Sequence, residues 1–427
     1  MKHNQFTLLG EKRFMPLFIT QFLGAFHDNL FKNALVVLLL YGIGMERPEN
    51  PEVLVTMATG LFILPFVLFS ALGGQLADKF DKRKVIKAVK LAEIGIAVLG
   101  GTALLAGSVQ LSFMALFALG AQSALFGPSK YSILPQHLKT GELIGGNALL
   151  NTGTFLAILT GTIAGTVLVA AENGIWIVSA LLLICAAIGY AASRFIPFAP
   201  PKAQTLKLDF NPVTETIAIL RQTFSQGKKV VVAVLGVAWF YFLGGMFMAQ
   251  LPNYTSGTLH ADEHVLAFLL VIFSIGIALG GLLNNRLLKG KIEARLVPPA
   301  ILGITLFSTD LYFSGGAARA ITDDPLTLSA FINDPAHWRV IIDLALISIC
   351  GGLFVVPLNT IIQHFTDSKI RARIVAGSAI MNALFVVGSS VFSIALLLAG
   401  LEIRELFLTF AGLNALVGIY LYKRLNQ

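Results

Sequence analysis

The chain has 427 residues, of which 56% are hydrophobic and only 13% are charged. Soluble domains carry charge on about a quarter of their residues, so this composition excludes an ordinary soluble protein and indicates helices that span a membrane. The two cysteines, Cys185 and Cys350, both lie in apolar runs and do not indicate a disulfide framework.

Twelve apolar runs, each long enough to cross a bilayer, follow one another along the chain. The first run is too long for a signal peptide and lacks a small-residue cleavage site, so we expect it to remain in the mature chain. The pattern predicts an all-α membrane protein with twelve transmembrane helices. The predicted spans are 14–41, 53–77, 85–106, 110–134, 147–171, 174–195, 230–253, 264–287, 296–315, 338–363, 374–399 and 404–422.

Positive charge is distributed unequally between the predicted loops. When the N-terminus is placed in the cytoplasm, 25 of the 31 Lys and Arg residues fall on the inner side. Four fall on the outer side, namely Arg47, Arg319, Arg339 and Arg404. The positive-inside rule therefore predicts that both termini are cytoplasmic. The net charge of +8 is explained by topology and by attraction to anionic lipid, so we expect no nucleic-acid partner.

The longest polar stretch, residues 196–229, divides the chain at its middle. Six predicted spans precede it in residues 1–195, and six follow it in residues 230–427. This arrangement predicts two six-helix bundles joined by a cytoplasmic linker. Within the linker, residues 212–225 have the pattern of a short amphipathic helix that lies on the membrane.

Polar residues interrupt the first span near its midpoint, where Asp28 and Asn29 follow His27. A carboxylate at that depth costs at least about 2.5 kcal/mol on insertion scales, so it needs a partner or a water-filled cavity. Lys32 follows one helical turn later on the same face. We therefore predict that this segment belongs to a functional site, with simple pairing of Asp28 and Lys32 as the alternative.

A glycine and charge motif occupies the loop after the second span, at residues 73–84. It contains Gly74, then Asp78 and Lys79, and then a basic cluster that includes Arg83. This order resembles the signature loop of the major facilitator superfamily, although Asp81 stands where that family usually has Gly. The resemblance implies that Gly74 lets two helices approach closely, Asp78 caps or pairs with a neighbouring helix end, and Arg83 supplies a cytoplasmic latch.

A degenerate copy of the motif follows the eighth span at residues 281–286. Asn285 stands where the first half has Asp78, and Arg286 follows it. The copy supports two homologous bundles of the major facilitator fold, and its missing carboxylate indicates an asymmetric latch.

Three further segments are similar to bacterial lysophospholipid transporters of this superfamily, and a fourth is similar to forms of them fused to a phospholipid acyltransferase. They are residues 21–29, 127–135, 356–363 and 371–385. The resemblance implies an alternating-access flippase that moves lysophospholipids such as lysophosphatidylethanolamine from the outer to the inner leaflet of a bacterial inner membrane. It also implies an acyltransferase that restores the second chain, which we expect to be a separate protein because none is present in this sequence.

A lysophospholipid carrier needs a few charges for the head group and an apolar path for the tail. Asp28 is suited to an ammonium group, and Lys130 to a phosphate, with Tyr131 adding a hydrogen bond. Pro128 is expected to perturb the helix beside Lys130. The predicted substrate-binding residues are Asp28, Asn29, Lys32, Lys130, Tyr131 and Asn359, and the predicted gating residues are Gly74, Asp78, Lys79, Arg83, Asn285 and Arg286.

Several of these residues have simpler alternative roles. Lys130 can extend to lipid head groups from the end of its span. Glu93 can pair with Lys90, and the buried amides, among them Asn147 and Gln363, can join helices by hydrogen bonds. One departure from the transporter family is that residues 239–253 of the seventh span contain no Arg or Lys, where the family often has a basic residue.

The main alternative function is a proton-coupled exporter of amphipathic drugs, in which Asp28 would carry the proton. A lipid enzyme or scaffold is a weaker alternative, because no catalytic constellation with suitable spacing is present. No nucleotide-binding loop is found, so ATP-driven transport is not expected. We expect no catalytic residues, no metal site and no cofactor, and a monomer. The sequence does not decide whether Na⁺, H⁺ or no ion is coupled to transport.

Overall fold

A computed structural model describes residues 4–41, 51–317 and 325–425. Lys2, Arg47 and Arg319, three of the basic residues counted above, lie outside these described residues. Within the described ranges the regular secondary structure is helical and no strand is formed. The all-α fold class predicted from the apolar runs is confirmed.

Within these ranges, twelve long α-helices follow the order of the predicted spans, and three short α-helices lie between them. The helices, numbered in chain order, are α1 Met15–Tyr41, α2 Pro51–Lys79, α3 Lys82–Leu105, α4 Val109–Ser132, α5 Leu134–His137, α6 Leu143–Val169, α7 Gly174–Ser193, α8 Pro212–Phe224, α9 Lys228–Asn253, α10 Glu263–Leu288, α11 Val297–Ala317, α12 Leu328–Asn333, α13 Pro335–Phe365, α14 Arg371–Leu398 and α15 Ile403–Leu425.

Eleven helices of the described chain are long and apolar enough to cross a membrane. They correspond to the predicted spans except the ninth. That span is formed as helix α11, but its middle carries Thr305, Ser308 and Asp310, which lower its mean hydropathy. The count of twelve long helices therefore agrees with the prediction, while eleven meet the stricter criterion of length and composition.

The chain forms two compact units. The first contains residues 1–226 together with residues 363–380, which are the end of α13 and the start of α14. The second contains residues 227–362 and 381–427. The division of the chain into domains at 195 and 230 stays a prediction.

The core of the first unit is built on α1, α3, α4, α6 and α7. Leu30, Phe31, Leu35 and Leu38 of α1 are buried among apolar residues of these neighbouring helices. Close approach depends on small residues, because a Cβ atom at Gly161 of α6 would lie 2.5 Å from the carbonyl oxygen of Phe26. Small residues of this kind let membrane helices pack closely.

The linker folds against the first unit. Helix α8 begins at the Asn211 cap, whose side chain accepts the backbone N–H groups of Val213 and Thr214. The hydroxyl group of Thr216 donates to the carbonyl oxygen of Val67 on α2, and Ile219 is buried beside Ala71 and Ile380. The amphipathic helix predicted within residues 212–225 is therefore formed, and its buried face is covered by α2 and the start of α14.

Helix α4 differs from its prediction. Pro128 does not interrupt this helix. Helix α4 continues to Ser132 and ends there, and a turn at Ile133 separates it from α5. The helix is therefore not broken beside Lys130. Proline removes a single hydrogen bond, and a helix supported by packing on its neighbours tolerates that loss.

The second unit has an aromatic interior. The ring of Phe242 on α9 stacks on Trp239 and Phe410, with centroid distances of 4.9 and 5.3 Å, and contacts Phe385 and Phe392 of α14. The indole N–H of Trp239 donates to the amide oxygen of Asn414 at 2.8 Å. Aromatic side chains thus fill the segment of α9 that has no Lys or Arg.

A glycine substitution tests the packing of α1 on α6. We expect Gly161→Ala to destabilise the protein by about 1–3 kcal/mol, because the new methyl group would press against the Phe26 carbonyl. Gly95→Ala is the matched control, since a Cβ atom at Gly95 of α3 would meet no other atom within 4 Å. Thermal unfolding of the purified variants measures both, and equal melting temperatures would contradict this packing role.

Candidate functional site

A ring of polar side chains lies inside the first unit, where α1, α3 and α4 meet. Asp28 is the member on α1, and its Oδ2 atom accepts a hydrogen bond from the Ser123 hydroxyl group of α4. Ser123 also lies 3.1 Å from the amide oxygen of Gln122. Asp28 is only 6% exposed, so its carboxylate is buried and hydrogen-bonded.

The ring continues from α4 to α3. The Gln122 amide nitrogen donates to Oε2 of Glu93 at 2.7 Å. The same carboxylate oxygen pairs with the ammonium group of Lys90, one helical turn away on α3. Lys90 and Glu93 are both fully buried. The alternative in which Glu93 pairs with Lys90 is therefore the arrangement that the structure adopts.

His27 lies between the two carboxylates on the side of the ring that no hydrogen bond among the described residues closes. Its Nδ1 atom lies 3.7 Å from Oδ1 of Asp28 and 4.0 Å from Oε1 of Glu93. The imidazole is 1% exposed. Two carboxylates, one ammonium group and one imidazole thus share a buried site, which we name the polar ring, consisting of His27, Asp28, Lys90, Glu93, Gln122 and Ser123.

Two features of the sequence position Lys90 in the polar ring. Gly24 of α1 has no side chain, and a Cβ atom there would overlap the Lys90 ammonium nitrogen. The ammonium also sits 4.8 Å from the centre of the Phe126 ring, a cation–π distance. The ammonium group therefore occupies space that only glycine leaves open.

Lys130 lies beside the polar ring on α4. Its ammonium nitrogen is 4.7 Å from the Tyr131 ring centre and 5.8 Å from that of Phe126. Lys90 and Asp28 are both close enough to interact electrostatically with the Lys130 ammonium group. The Tyr131 hydroxyl group donates to the amide oxygen of Asn151 on α6 at 3.3 Å. Lys130 is thus held by aromatic faces and not by a carboxylate contact in the described structure.

The remaining predicted substrate residues lie in different places. The Asn29 amide donates to the Ala25 carbonyl of its own helix, away from the polar ring hydrogen bonds. The Lys32 ammonium group lies 5.8 Å from the Phe62 ring centre and interacts electrostatically with the Asp28 carboxylate. Asn359 is on α13 in the second unit. The structure therefore brings Asp28 and Lys130 to one site, with Lys32 at its edge.

A second network surrounds Asp78 at the end of α2. Its carboxylate accepts the backbone N–H groups of Ala372 and Arg373 at 3.1 and 3.3 Å, and Nε–H of Arg373 at 3.2 Å. These backbone N–H groups belong to the first turn of α14, where donors have no partner within the helix and the dipole favours negative charge. Asp78 thus caps α14 from another helix.

Gly74 stands one turn before Asp78 and lets α2 approach α14. A Cβ atom at Gly74 would lie 2.8 Å from the Ala376 Cβ and 2.9 Å from the Arg373 Cα. Nearby on α8, partial burial and the Asp209 carboxylate raise the pKa of Glu215, while the charge of Arg373 lowers it. Arg373 therefore faces acidic groups of both α2 and α8.

Arg83 does not reach Asp78. Its guanidinium lies 3.5 Å from Asp81 and over the Phe198 ring. Asp81 caps α3 by accepting the Arg83 N–H, and also accepts the Ala199 N–H of the linker. Capping explains why an acidic residue is stable at the position where the related motif has glycine.

The other predicted gating residues make different contacts. The Lys79 ammonium lies 5.8 Å from the Phe80 ring centre. In the second unit, Asn285 is buried on α10 and Arg286 is exposed. The neighbouring Asn284 donates to the Gly352 carbonyl of α13 at 3.0 Å. Within the degenerate motif, Asn284 therefore joins α10 to α13 by a hydrogen bond.

Comparison with known families decides the class of this chain. Residues 17–331 match the family model of the Major Facilitator Superfamily. The chain belongs to the Major Facilitator Superfamily. It is therefore a multi-pass membrane protein of a transporter superfamily, as the sequence predicts.

Two curated relatives match most of the chain. The lysophospholipid transporter LplT of an Enterobacter species (strain 638) is 26% identical over 433 residues, which cover 98% of both chains. LplT of Klebsiella pneumoniae (strain 342) is 26% identical over 360 residues, covering 83% of this chain and 81% of its own.

Solved structures support the same fold. The human organic anion transporter MFSD10 has a TM-score of 0.73 at 16% identity and covers 95% of this chain and 99% of its own. The superfamily transporter FucP, in an outward conformation, has a TM-score of 0.69 at 12% identity, with 97% and 99% coverage. At these identities the likeness concerns the fold alone.

Sequence reasoning missed most of the polar ring. Gln122 and Ser123 form a polar pair in the middle of an apolar span, and that pattern was a usable signal. Lys90 and Glu93 are spaced by one turn inside the third span, which indicated their pairing but not their partners on α1 and α4. Arg373 could not be found as the partner of Asp78, because they are 295 residues apart.

Opening of the Asp78 network can be measured by thiol labelling. We expect Asp78→Ala to increase labelling of a cysteine introduced at the buried Ser378 of α14 several-fold. Without the Asp78 carboxylate, the first N–H groups of α14 lose their acceptor and no longer hold α14 against α2. The background lacks the native thiols Cys185 and Cys350. Lys79→Ala is the control, and equal labelling of the two variants would contradict the capping role.

Proposed function

We propose that this protein is a lysophospholipid transporter that moves its substrate from the outer to the inner leaflet of a bacterial inner membrane by alternating access. The curated relatives support the substrate class, since both are named lysophospholipid transporters and one matches over 98% of its length. Both termini lie in the cytoplasm in this proposal, in accord with the distribution of Lys and Arg.

The observation that carries the proposal is the buried polar ring with Lys130 beside it. A head group such as phosphoethanolamine has an ammonium and a phosphate, and both need partners when they leave water. The ring supplies the Asp28 carboxylate, and Lys130 supplies a cation without a carboxylate contact in the described residues. The Coulomb attraction between opposite charges is stronger in a region of low dielectric than in water.

Lys130 is suited to the phosphate because its present contacts are weak. Cation–π contacts contribute about 0.5–2 kcal/mol, which is less than a charge-assisted hydrogen bond to a phosphate oxygen in a buried site. The adjacent Tyr131 hydroxyl group can donate a further hydrogen bond by leaving Asn151. Both groups can therefore exchange protein partners for substrate at small cost.

The acyl tail requires an apolar surface. In the first unit, the rings of Phe18 and Phe22 on α1 stack on each other and are only partly buried, so they provide apolar surface. The aromatic segment of α9 stands where a basic residue is often found in the related family, so we assign head-group binding to the first unit. Phe31 of α1 packs on Gly100 in the core.

The Asp78 network is the proposed cytoplasmic latch. In an alternating-access cycle the inner side must close while the substrate enters from outside, and capping of α14 by Asp78 stabilises that closed arrangement. Arg373 takes the role that the sequence gave to Arg83. The lysophospholipid delivered to the inner leaflet is then the substrate of a separate acyltransferase.

Transport by the purified protein tests the proposal. Proteoliposomes carrying the protein should flip fluorescent lysophosphatidylethanolamine at least several-fold faster than empty liposomes, and diacyl phosphatidylethanolamine should serve as the control. A panel of amphipathic drugs is assayed in parallel. Drug transport without lysophospholipid transport would reject the proposal in favour of an exporter.

Asp28→Asn separates function from stability. The asparagine oxygen can still accept the Ser123 hydrogen bond, so we expect the variant to fold with nearly unchanged thermal stability. Transport should fall at least tenfold, because the negative charge that meets the ammonium is lost. Asn33→Ala on the same helix is the control for loss of a polar side chain. Wild-type transport by Asp28→Asn would reject the role of Asp28.

Lys130 variants test phosphate recognition. Lys130→Ala should weaken binding of every phosphate-bearing lysolipid by at least tenfold, whatever its head group, because the partner of the phosphate is removed. Lys130→Arg should keep part of the affinity, since the charge persists while the geometry changes. If Lys130 only extends to lipid head groups, Lys130→Ala will bind substrate with unchanged affinity.

A further inference from the structure

Helix α8 of the linker lies in the seam between α2 and the start of α14, and all three segments belong to the first unit. Gln75 of α2 holds the chain just before α8. Its side-chain amide donates to the Asp209 carbonyl oxygen at 3.0 Å and accepts the Asp209 N–H at 2.9 Å. Further along, the Thr216 hydroxyl group donates to the Val67 carbonyl oxygen at 3.0 Å. Hydrogen bonds therefore tie the linker to α2 both before α8 and within it.

The inner face of α8 fills the seam with the side chains of Ile219 and Thr223. Ile219 is 1% exposed and packs against Ala71 of α2 and Ile380 of α14. Thr223 is fully buried, and a Cβ atom at Gly377 of α14 would lie 3.2 Å from the Thr223 Cβ. The absence of a side chain at Gly377 lets α14 come this close to α8. Helix α8 therefore seals the seam between α2 and α14 at this level.

The seal lies at the depth of the lipid tails. An α-helix rises about 1.5 Å per residue, so Val67 is about 18 Å from the end of α2 at Lys79. By the same rise, Ile380 is about 14 Å from the start of α14 at Arg371. The hydrocarbon core of a bilayer is about 30 Å thick. In the proposed topology, both contacts of α8 therefore fall in the inner half of that core.

The outer face of α8 is apolar and exposed. Val213, Ile217 and Phe224 are 61%, 53% and 45% exposed, and their helical spacing places them on a different face from Ile219. A linker surrounded by water would carry polar residues on this face, whereas acyl chains of the inner leaflet fit apolar ones. Helix α8 thus stands between the seam and the surrounding lipid.

We propose that α8 is a lateral gate through which the acyl tail reaches the inner leaflet, and that this gate passes one chain and excludes two. The inference rests on the proposed function and adds a determinant of its substrate class. Ile219 and Thr223 fill the seam, so their withdrawal opens a gap on the scale of one hydrocarbon chain. A lysophospholipid has one tail and passes, whereas a diacyl phospholipid needs a wider opening.

A disulfide lock tests the movement of α8. Thr223→Cys combined with Gly377→Cys places the two Cβ atoms 3.2 Å apart. That separation is close to the range of about 3.5–4.5 Å found in disulfides. The background carries Cys185→Ser and Cys350→Ser. We expect oxidation to slow flipping of fluorescent lysophosphatidylethanolamine in proteoliposomes several-fold, and reduction to restore it.

A second disulfide is the matched control. Gly101→Cys combined with Ser179→Cys gives a Cβ separation of 3.3 Å in the same unit, and this disulfide joins α3 to α7 without involving α8. In the same cysteine-free background, the oxidised control should flip lysolipid as fast as its reduced form. Equal inhibition by both disulfides would overturn a specific role of α8.

Ile219→Ala tests the selection of one chain and leaves the linker attached. The shorter side chain loosens the seal, so we expect flipping of diacyl phosphatidylethanolamine to rise several-fold while flipping of lysophosphatidylethanolamine is retained. Ile217→Ala is the matched control, because it makes the same substitution on the exposed face of α8. The control should keep the wild-type preference for the single-chain lipid.

The two inferences fail in different ways. Wild-type selectivity in Ile219→Ala, or unchanged lysolipid flipping by the oxidised α8–α14 disulfide, would overturn the gate and leave the proposed function intact. If the paired cysteine variant does not fold, the comparison of Ile219→Ala with Ile217→Ala decides the matter alone. Absence of lysolipid flipping by the wild-type protein would reject the proposed function, and the gate with it.

Discussion

Burial of charge in an apolar interior is the constraint on which the first unit depends. Removing one partner from a buried pair typically costs about 3–5 kcal/mol, so each charged group must keep its partner as the helices pack. Asp28 of α1 accepts a hydrogen bond from Ser123 of α4, and Glu93 of α3 accepts one from Gln122 of α4, so both carboxylates are satisfied only where these three helices meet. The polar ring therefore fixes the register of the helices and creates the site in one step.

The same physics explains the network at the end of α2. The first N–H groups of α14 need an acceptor, and the Asp78 carboxylate provides a charged one at 3.1 Å. Gly74 makes this possible because any side chain there would hold the two helices apart. A glycine and an aspartate one turn apart thus act together, which gives a physical reason for their spacing in the motif.

Much of the fold could be predicted from the sequence, because hydropathy is read residue by residue. Span positions and the amphipathic linker helix followed from local patterns. The site followed only in part: Asp28 was recognisable from its depth alone, whereas its partner Ser123 is 95 residues away and carries no charge. Pairings at such distances depend on tertiary packing, which also explains why Pro128 failed to break α4 and why Asp78 binds Arg373 rather than Arg83.

Our central claim is that the polar ring with Lys130 binds the head group of a lysophospholipid. An experimental structure of the protein with lysophosphatidylethanolamine tests it most directly. We expect the phosphate within hydrogen-bond distance of the Lys130 ammonium nitrogen, about 2.7–3.2 Å, and the lipid ammonium beside Asp28. A head group bound away from both residues, with the polar ring contacts unchanged, would contradict it.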